Sequence, residues 1–259
     1  MWRAAIGLSG VVLVGALAVH AQPSADPAVR IAELEQQVSR YLRILGDWGG
    51  LTRYGSADAE LGAPRAGERR VVFFGDDITE AWGSGSTFLE SRGYINRGIA
   101  RQTTPQMLVR FRQDVIALKP AVVVIQGGTN DVAGISGPGT RGTVADNLTS
   151  MTELAKANGI RVVLASILPI CDCGSSQTSL RSQVRIADFN EWIRSYAASA
   201  GAVYLDYYAA LAEGRNFRPA LTRDGFLPNQ AGYDLMGPLA ERAVAAALEA
   251  RERQQQAFQ

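Results

Sequence analysis

Two kinds of hydrophobic pattern alternate along most of this chain. Short, continuous apolar runs occur at Arg70-Val71-Val72-Phe73-Phe74, Ala121-Val122-Val123-Val124-Ile125, Ile160-Arg161-Val162-Val163-Leu164 and Ala202-Val203-Tyr204-Leu205, with a weaker one at Tyr94-Ile95-Asn96. They are rich in β-branched residues and do not alternate with polar ones, as expected of strands covered on both faces. Between them, residues 104–118, 143–158, 181–200 and 229–251 repeat their apolar positions at helical spacing. The order predicts an α/β fold over residues 70–250, a three-layer α/β/α sandwich around a parallel sheet of about five strands. Ligands of such sheets bind beyond the carboxyl ends of the strands.

Upstream the pattern changes. Ile31, Leu34, Val38, Tyr41, Leu42 and Leu45 recur at helical spacing and predict one helix with a buried stripe. Residues 46–69 carry glycine, proline and scattered charge and read as a connecting segment, so residues 22–69 form a helix plus connection. Before them, Met1-Trp2-Arg3 precedes an apolar run from Ala4 to Ala18 and then Val19-His20-Ala21. A positive start, a short apolar core and a small-x-small cut site predict a signal peptide over residues 1–21. The run is too short to span a bilayer, which needs roughly 20 residues. The expectation is an exported protein, periplasmic or extracellular, with no membrane span after cleavage; an uncleaved anchor is the alternative.

This cut bears on chemistry, because His20 is the only histidine among the 259 residues. A chain processed after Ala21 has no imidazole. Net charge is +1, which provides no electrostatic footprint for nucleic acid. Cys171 and Cys173 are the two cysteines and read as a structural or incidental pair, with a redox or metal role as the alternative. Two thiolates do not complete a zinc site. No cofactor is expected.

Each strong early strand ends in a polar glycine turn. The first runs into Gly75-Asp76-Asp77-Ile78-Thr79-Glu80 and the run at 121–125 into Gly127-Gly128-Thr129-Asn130-Asp131. Asn96-Arg97-Gly98 lies between them, and Asp224-Gly225-Phe226-Leu227-Pro228-Asn229 precedes the last helix. In this order and spacing the blocks resemble the SGNH hydrolases, also called GDSL esterases and lipases. The resemblance covers roughly residues 47–245 and implies a flavodoxin-like α/β/α fold acting on carboxylic esters. It also implies that Gly98, Asn130 and the backbone N–H of residue 77 form an oxyanion hole, and that Asp224 orients a catalytic histidine.

The chain departs from the family pattern at two positions. Asp77 stands where the resemblance implies a nucleophilic serine, and Leu227 where it implies the histidine. Leucine has no lone pair and no titratable proton, so it is no base at any pH. Asp77 would start a helix, where free N–H groups and the dipole favour an anion, and its carboxylate would fold onto the hole. The expectation is an exported pseudoenzyme that binds a small-molecule ligand, an acyl ester or acylated glycan. The alternative is an active esterase, lipase or acetylhydrolase with an altered or metal-assisted site, the metal held by Asp76, Asp77, Asn130 and Asp224. Ser84 and Ser86 read as ordinary hydroxyls. Residues 134–139 read equally as a rim over the cleft or as a plain surface loop.

Overall fold

The five apolar runs form one parallel sheet, because each is buried along nearly its whole length and only helical crossovers can join strands that run the same way. The computed structural model describes residues 26–137 and 139–257; the signal-peptide expectation for residues 1–21 lies outside them. In chain order the elements are α1 (Pro27–Gly46), α2 (Gly55–Leu61), β1 (Val71–Gly75), α3 (Asp77–Gly85), α4 (Phe88–Ser91), β2 (Ile95–Gly98) and α5 (Thr104–Phe111). They continue with β3 (Val122–Gln126), α6 (Thr129–Val132), α7 (Arg141–Ala157), β4 (Arg161–Ala165), α8 (Gln183–Ala200), β5 (Val203–Leu205) and α9 (Tyr207–Leu211). A two-stranded β6–β7 hairpin (Ala212–Glu213 and Asn216–Phe217) and α10 (Gln230–Ala257) close the series.

The strand order is β2-β1-β3-β4-β5, all pairs parallel. The chain moves outward from β1 to β2, then returns to the other side of β1 for β3. The switch point therefore lies between β1 and β3, at whose carboxyl ends a ligand crevice is expected. Both strands deliver a polar turn there: Asp76-Asp77 after Gly75, and Thr129-Asn130 beginning three residues after Gln126.

An aromatic cluster supports the β1 end from below. Trp82 stacks on Tyr233 and Phe88 at 5.3 and 5.8 Å and meets Phe73 edge-on at 5.6 Å. Tyr233 Oη donates to Ile78 O at 2.9 Å, tying α10 to the first turn of α3. The helix after the β1 turn is thus fixed by packing and by one buried hydrogen bond.

The chain divides after Gly46, which differs from a single helix-plus-connection segment ending at 69. Residues 47–69 belong with the sheet. Asp58 pairs with Arg97 at 2.6 Å, Gln102 Nε2 donates to Gly49 O at 2.9 Å, and Tyr54 Oη donates to Gly98 O. The unit ending at Gly46 contributes α1, a 20-residue helix as the spacing predicts. Its expected buried stripe is corrected: Ile31, Leu34, Val38, Tyr41, Leu42 and Leu45 are all exposed, from 42% to 72%. Helical spacing puts these residues on one face, but burial needs an apposed apolar surface, and spacing alone does not supply one.

Candidate functional site

β1 ends by turning into α3, and the turn is capped by its own sequence. Asp76 is the N-cap of α3, its Oδ1 accepting from Ile78 N at 3.1 Å. Asp76 is fully buried and its Oδ2 has no hydrogen-bond partner. Burial, and then the neighbouring Asp77 charge, push its carboxyl well above the usual carboxylate range. Asp77 is half-buried at the first position of α3.

The Asp77 carboxylate meets two donors. Its Oδ2 accepts from Asn130 Nδ2 at 2.7 Å and from Arg101 N at 2.7 Å. Asn130 is buried at the start of α6 and also donates to Gln102 O at 3.0 Å, which fixes its amide. Next to it, Asp131 faces away. Its carboxylate accepts from Thr104 Oγ1 at 2.6 Å and from Thr104 N, tying the start of α5 to the β3 turn. Burial raises the Asp131 pKa, and the Thr104 hydrogen bonds oppose that rise.

Gly98 does not face the carboxylate with its N–H, which donates to Asn96 Oδ1 at 2.9 Å. A Cβ at Gly98 would lie 2.0 Å from Glu80 N, so glycine lets β2 approach α3 closely. The amides that turn toward the elbow come next in the chain. Ile99 N donates to Gly75 O, Ala100 N to Glu80 Oε2 and Arg101 N to Asp77 Oδ2. Arg101 holds a left-handed backbone with φ of 65°, which aims its N–H inward while its side chain stays exposed. Sequence reasoning missed Arg101, since nothing in an arginine's type signals a left-handed backbone.

Arg110 fixes this arrangement from beneath. It is fully buried, stacks on Phe74 at 4.1 Å, and donates to Gly75 O, Arg97 O and Asp114 Oδ2 at 2.8–3.0 Å. One planar guanidinium thus joins the ends of β1 and β2.

The other candidates, Asp224 and Leu227, lie in the turn at 222–229. Asp224 Oδ1 accepts from Phe226 N at 3.0 Å and from Leu227 N at 2.7 Å, while Oδ2 lies 3.7 Å from Arg223 Nη2. Leu227 is buried among the core residues. Cys171 and Cys173 are disulfide-bonded, and their loop buttresses this turn. Cys171 N donates to Gly225 O at 2.9 Å, and Ser175 Oγ to Asp224 O at 3.1 Å. Gly225 has φ of 87°, and a Cβ there would lie 2.1 Å from Cys171 O, so no other residue fits.

A cation that sequence reasoning missed lies against this turn. Arg181 is buried, with its guanidinium 4.2 Å from the centre of the Phe226 ring and its Nε without a hydrogen-bond partner. Burial lowers its pKa, and the charges of Asp77, Asp76 and Asp224 oppose that shift. It precedes α8, in a stretch that reads only as helix, so its inward direction had no sequence signal.

The remaining candidates are used locally. Ser84 Oγ donates to Ala81 O, and Ser86 Oγ accepts from Phe88 N. Among the described residues, Asp76, Asp77 and Asp224 do not gather into a metal-holding group, because Asp224 binds its own turn and Asp77 binds Asn130 and Arg101. The loop after α6 lines an open cavity of about 640 Å³ with Asp131, Arg141, Arg185 and Phe189. Arg185 anchors that loop by donating to Val132 O and Gly139 O.

The chemistry available follows from these contacts. Two donors converge on one point at the sheet's carboxyl edge, as an oxyanion requires. A carboxylate of the chain already occupies that point.

Residues 73–235 match the profile of the GDSL-like lipase/acylhydrolase family. A crystal structure described as a candidate acylhydrolase from Bacteroides fragilis is 41% identical, with a TM-score of 0.74 over 78% of this chain and 98% of that one. A GDSL-like lipase from Bacteroides thetaiotaomicron is 40% identical, with a TM-score of 0.73 over 77% of this chain and 99% of that one. An uncharacterized lipoprotein of Bacillus subtilis is 33% identical over 81 residues, so the match spans 30% of this chain and 33% of that protein's length.

Proposed function

The chain belongs to the GDSL-like lipase/acylhydrolase family, and from that premise we propose that it is an exported member impaired in hydrolysis, whose cleft binds a small acyl ester or acylated glycan without efficient turnover. One observation carries the reading: Asn130 Nδ2 and Arg101 N, the donors suited to a substrate oxyanion, both hold the carboxylate of Asp77 at 2.7 Å. An ester carbonyl entering the crevice must displace that anion. No hydroxyl nucleophile stands at residue 77 and no base at residue 227.

Export is supported by the apolar run at Ala4–Ala18 with its following small-x-small site. The similarity to a lipoprotein is a further, weaker support. The Cys171–Cys173 bond suits an oxidising compartment.

The altered esterase remains the second reading. In it, Asp77 would attack the ester carbonyl, expel the alkoxide and leave a mixed anhydride that water must then cleave. The bonds from Asn130 and Arg101 disfavour this step by stabilising the carboxylate it would consume.

Two measurements on the purified protein test the proposal. A short-chain aryl acetate should be cleaved at the rate of buffer alone. Acetate should bind to the Asp77→Ala variant, where the donors are vacated, and not to the parent, by titration calorimetry. Turnover well above background that persists in Asp77→Ala would remove Asp77 from the explanation, and equal acetate binding by both proteins would remove the self-occupied hole.

A further inference from the structure

The most exposed apolar surface among the described residues lies on α1, and its pattern is finer than an amphipathic stripe. Ile31, Leu34, Val38, Tyr41 and Leu45 alternate spacings of three and four residues, which assigns them to positions a, d, a, d and a of a heptad. All five are exposed, Ile31 and Val38 by more than half. A groove lined by Ile31, Leu34, Glu35, Val38 and Ser39 runs along this seam. Glu33 and Gln36 fall at the outward c and f positions, while Val29, also at f, is an apolar exception.

We propose that α1 is a self-association element, and that two copies of this chain pair their α1 helices in parallel and in register along this seam. Three features choose this occupant. β-Branched residues at a (Ile31, Val38) with leucine at d (Leu34) favour two parallel strands. The flanking charges agree: Arg30 at g of one helix faces Glu35 at e of its partner. Antiparallel pairing that mates the Leu34 and Val38 layers instead sets Glu35 against Glu35. The Arg30 guanidinium pairs with Glu33 at 3.1 Å, and both side chains are more than half exposed, so this weak pair is readily exchanged. Finally, an isolated helix of this length is marginal in water, and pairing the apolar seam stabilises it. The seam spans fewer than three heptads, so the dimer is weak. This inference does not depend on the state of the cleft.

Sedimentation equilibrium of the purified protein should show a monomer–dimer equilibrium between about 1 and about 200 µM, as a Kd on the order of 10 µM predicts. Val38→Glu should give monomer throughout. The substituted side chain is exposed in the monomer, so the fold should remain and far-ultraviolet circular dichroism should change little. Arg30→Glu should weaken the dimer, and Arg30→Glu with Glu35→Arg should restore it. Leu34→Cys should form an intermolecular disulfide on oxidation, because parallel register places the two side chains in one layer. A protein that is monomeric over the whole range, or a dimer insensitive to Val38→Glu, overturns the proposal. A Val38→Glu-sensitive dimer that Leu34→Cys does not cross-link overturns the parallel arrangement.

Discussion

The β1–α3 elbow and the 222–229 turn are ordered in different ways. At the β1–α3 elbow the polar frame is intact. Asp76 caps the helix, Arg110 holds the strand ends, and Asn130 and Arg101 aim donors at one point. The group at that point is the Asp77 carboxylate. At the 222–229 turn the frame is also ordered, but Leu227 joins the core and Asp224 caps its own turn. The elbow therefore holds a site whose donors satisfy themselves, whereas the turn is structure. The difference teaches that two polar turns can be ordered in different ways: the Asp77 charge is met by donors from Asn130 and Arg101, whereas Leu227 is absorbed by the core.

The largest test joins the two. Asp77→Ser with Leu227→His should raise aryl acetate cleavage about 10³-fold or more over either single change, because nucleophile and base act as a unit. Asp224 Oδ2 remains to receive the imidazole N–H, since the turn itself uses Oδ1. If the double change stays at background, the elbow's frame is not the working frame it resembles.

A smaller effect separates the two by stability. Leu227→Ala should cost about 2–3 kcal/mol, as for a buried leucine truncated to leave a cavity. Asp77→Ala should change stability by less than about 1 kcal/mol, since Asn130 keeps its bond to Gln102 O and the Arg101 amide lies beside an open crevice. Urea unfolding of both variants measures this, and equal losses would erase the distinction between site and structure.

The smallest effect is one of pH. Burial raises the Asp76 pKa in the folded state above the unfolded value. Its contribution to stability is therefore fully present below the unfolded value and is lost as pH rises through the folded one. Between about pH 4 and about pH 7 the parent should lose stability more steeply than Asp76→Asn. Leu227→Ala, which removes no titratable group, should keep the parent's slope. Thermal melts across this range decide it. Parallel curves for parent and Asp76→Asn would mean that Asp76 is solvated.

Much of the fold was legible beforehand. Unbroken β-branched runs can only be strands covered on both faces, and the helical patterns between them force parallel crossovers. The strand at 94–96 was weaker because Asn96 and Arg97 interrupt it; in the structure they are held by polar contacts to Thr79 and Asp58. Asp77, Asn130, Asp224 and Leu227 were singled out because the turn blocks that hold them, taken in order, resemble a known family, not because any one turn signals a role. Arg101 and Arg181 were not, because an arginine on a turn or before a helix looks the same whether it faces solvent or a crevice. Gly98 was read as a donor, whereas its N–H serves Asn96 and its missing side chain serves packing.

By itself, then, the sequence determined the strands and helices, the presence of Asp77 and Leu227 in two of the turn blocks, and the amphipathic spacing of α1. These follow from residue type and local period, which need no knowledge of what lies across the molecule. Tertiary structure alone decided that the Asp77 carboxylate meets Asn130 and the Arg101 amide, and that Arg181 lies against the Phe226 ring. Those are relations between residues far apart in the chain, fixed by strand order and backbone direction, to which a local pattern is blind.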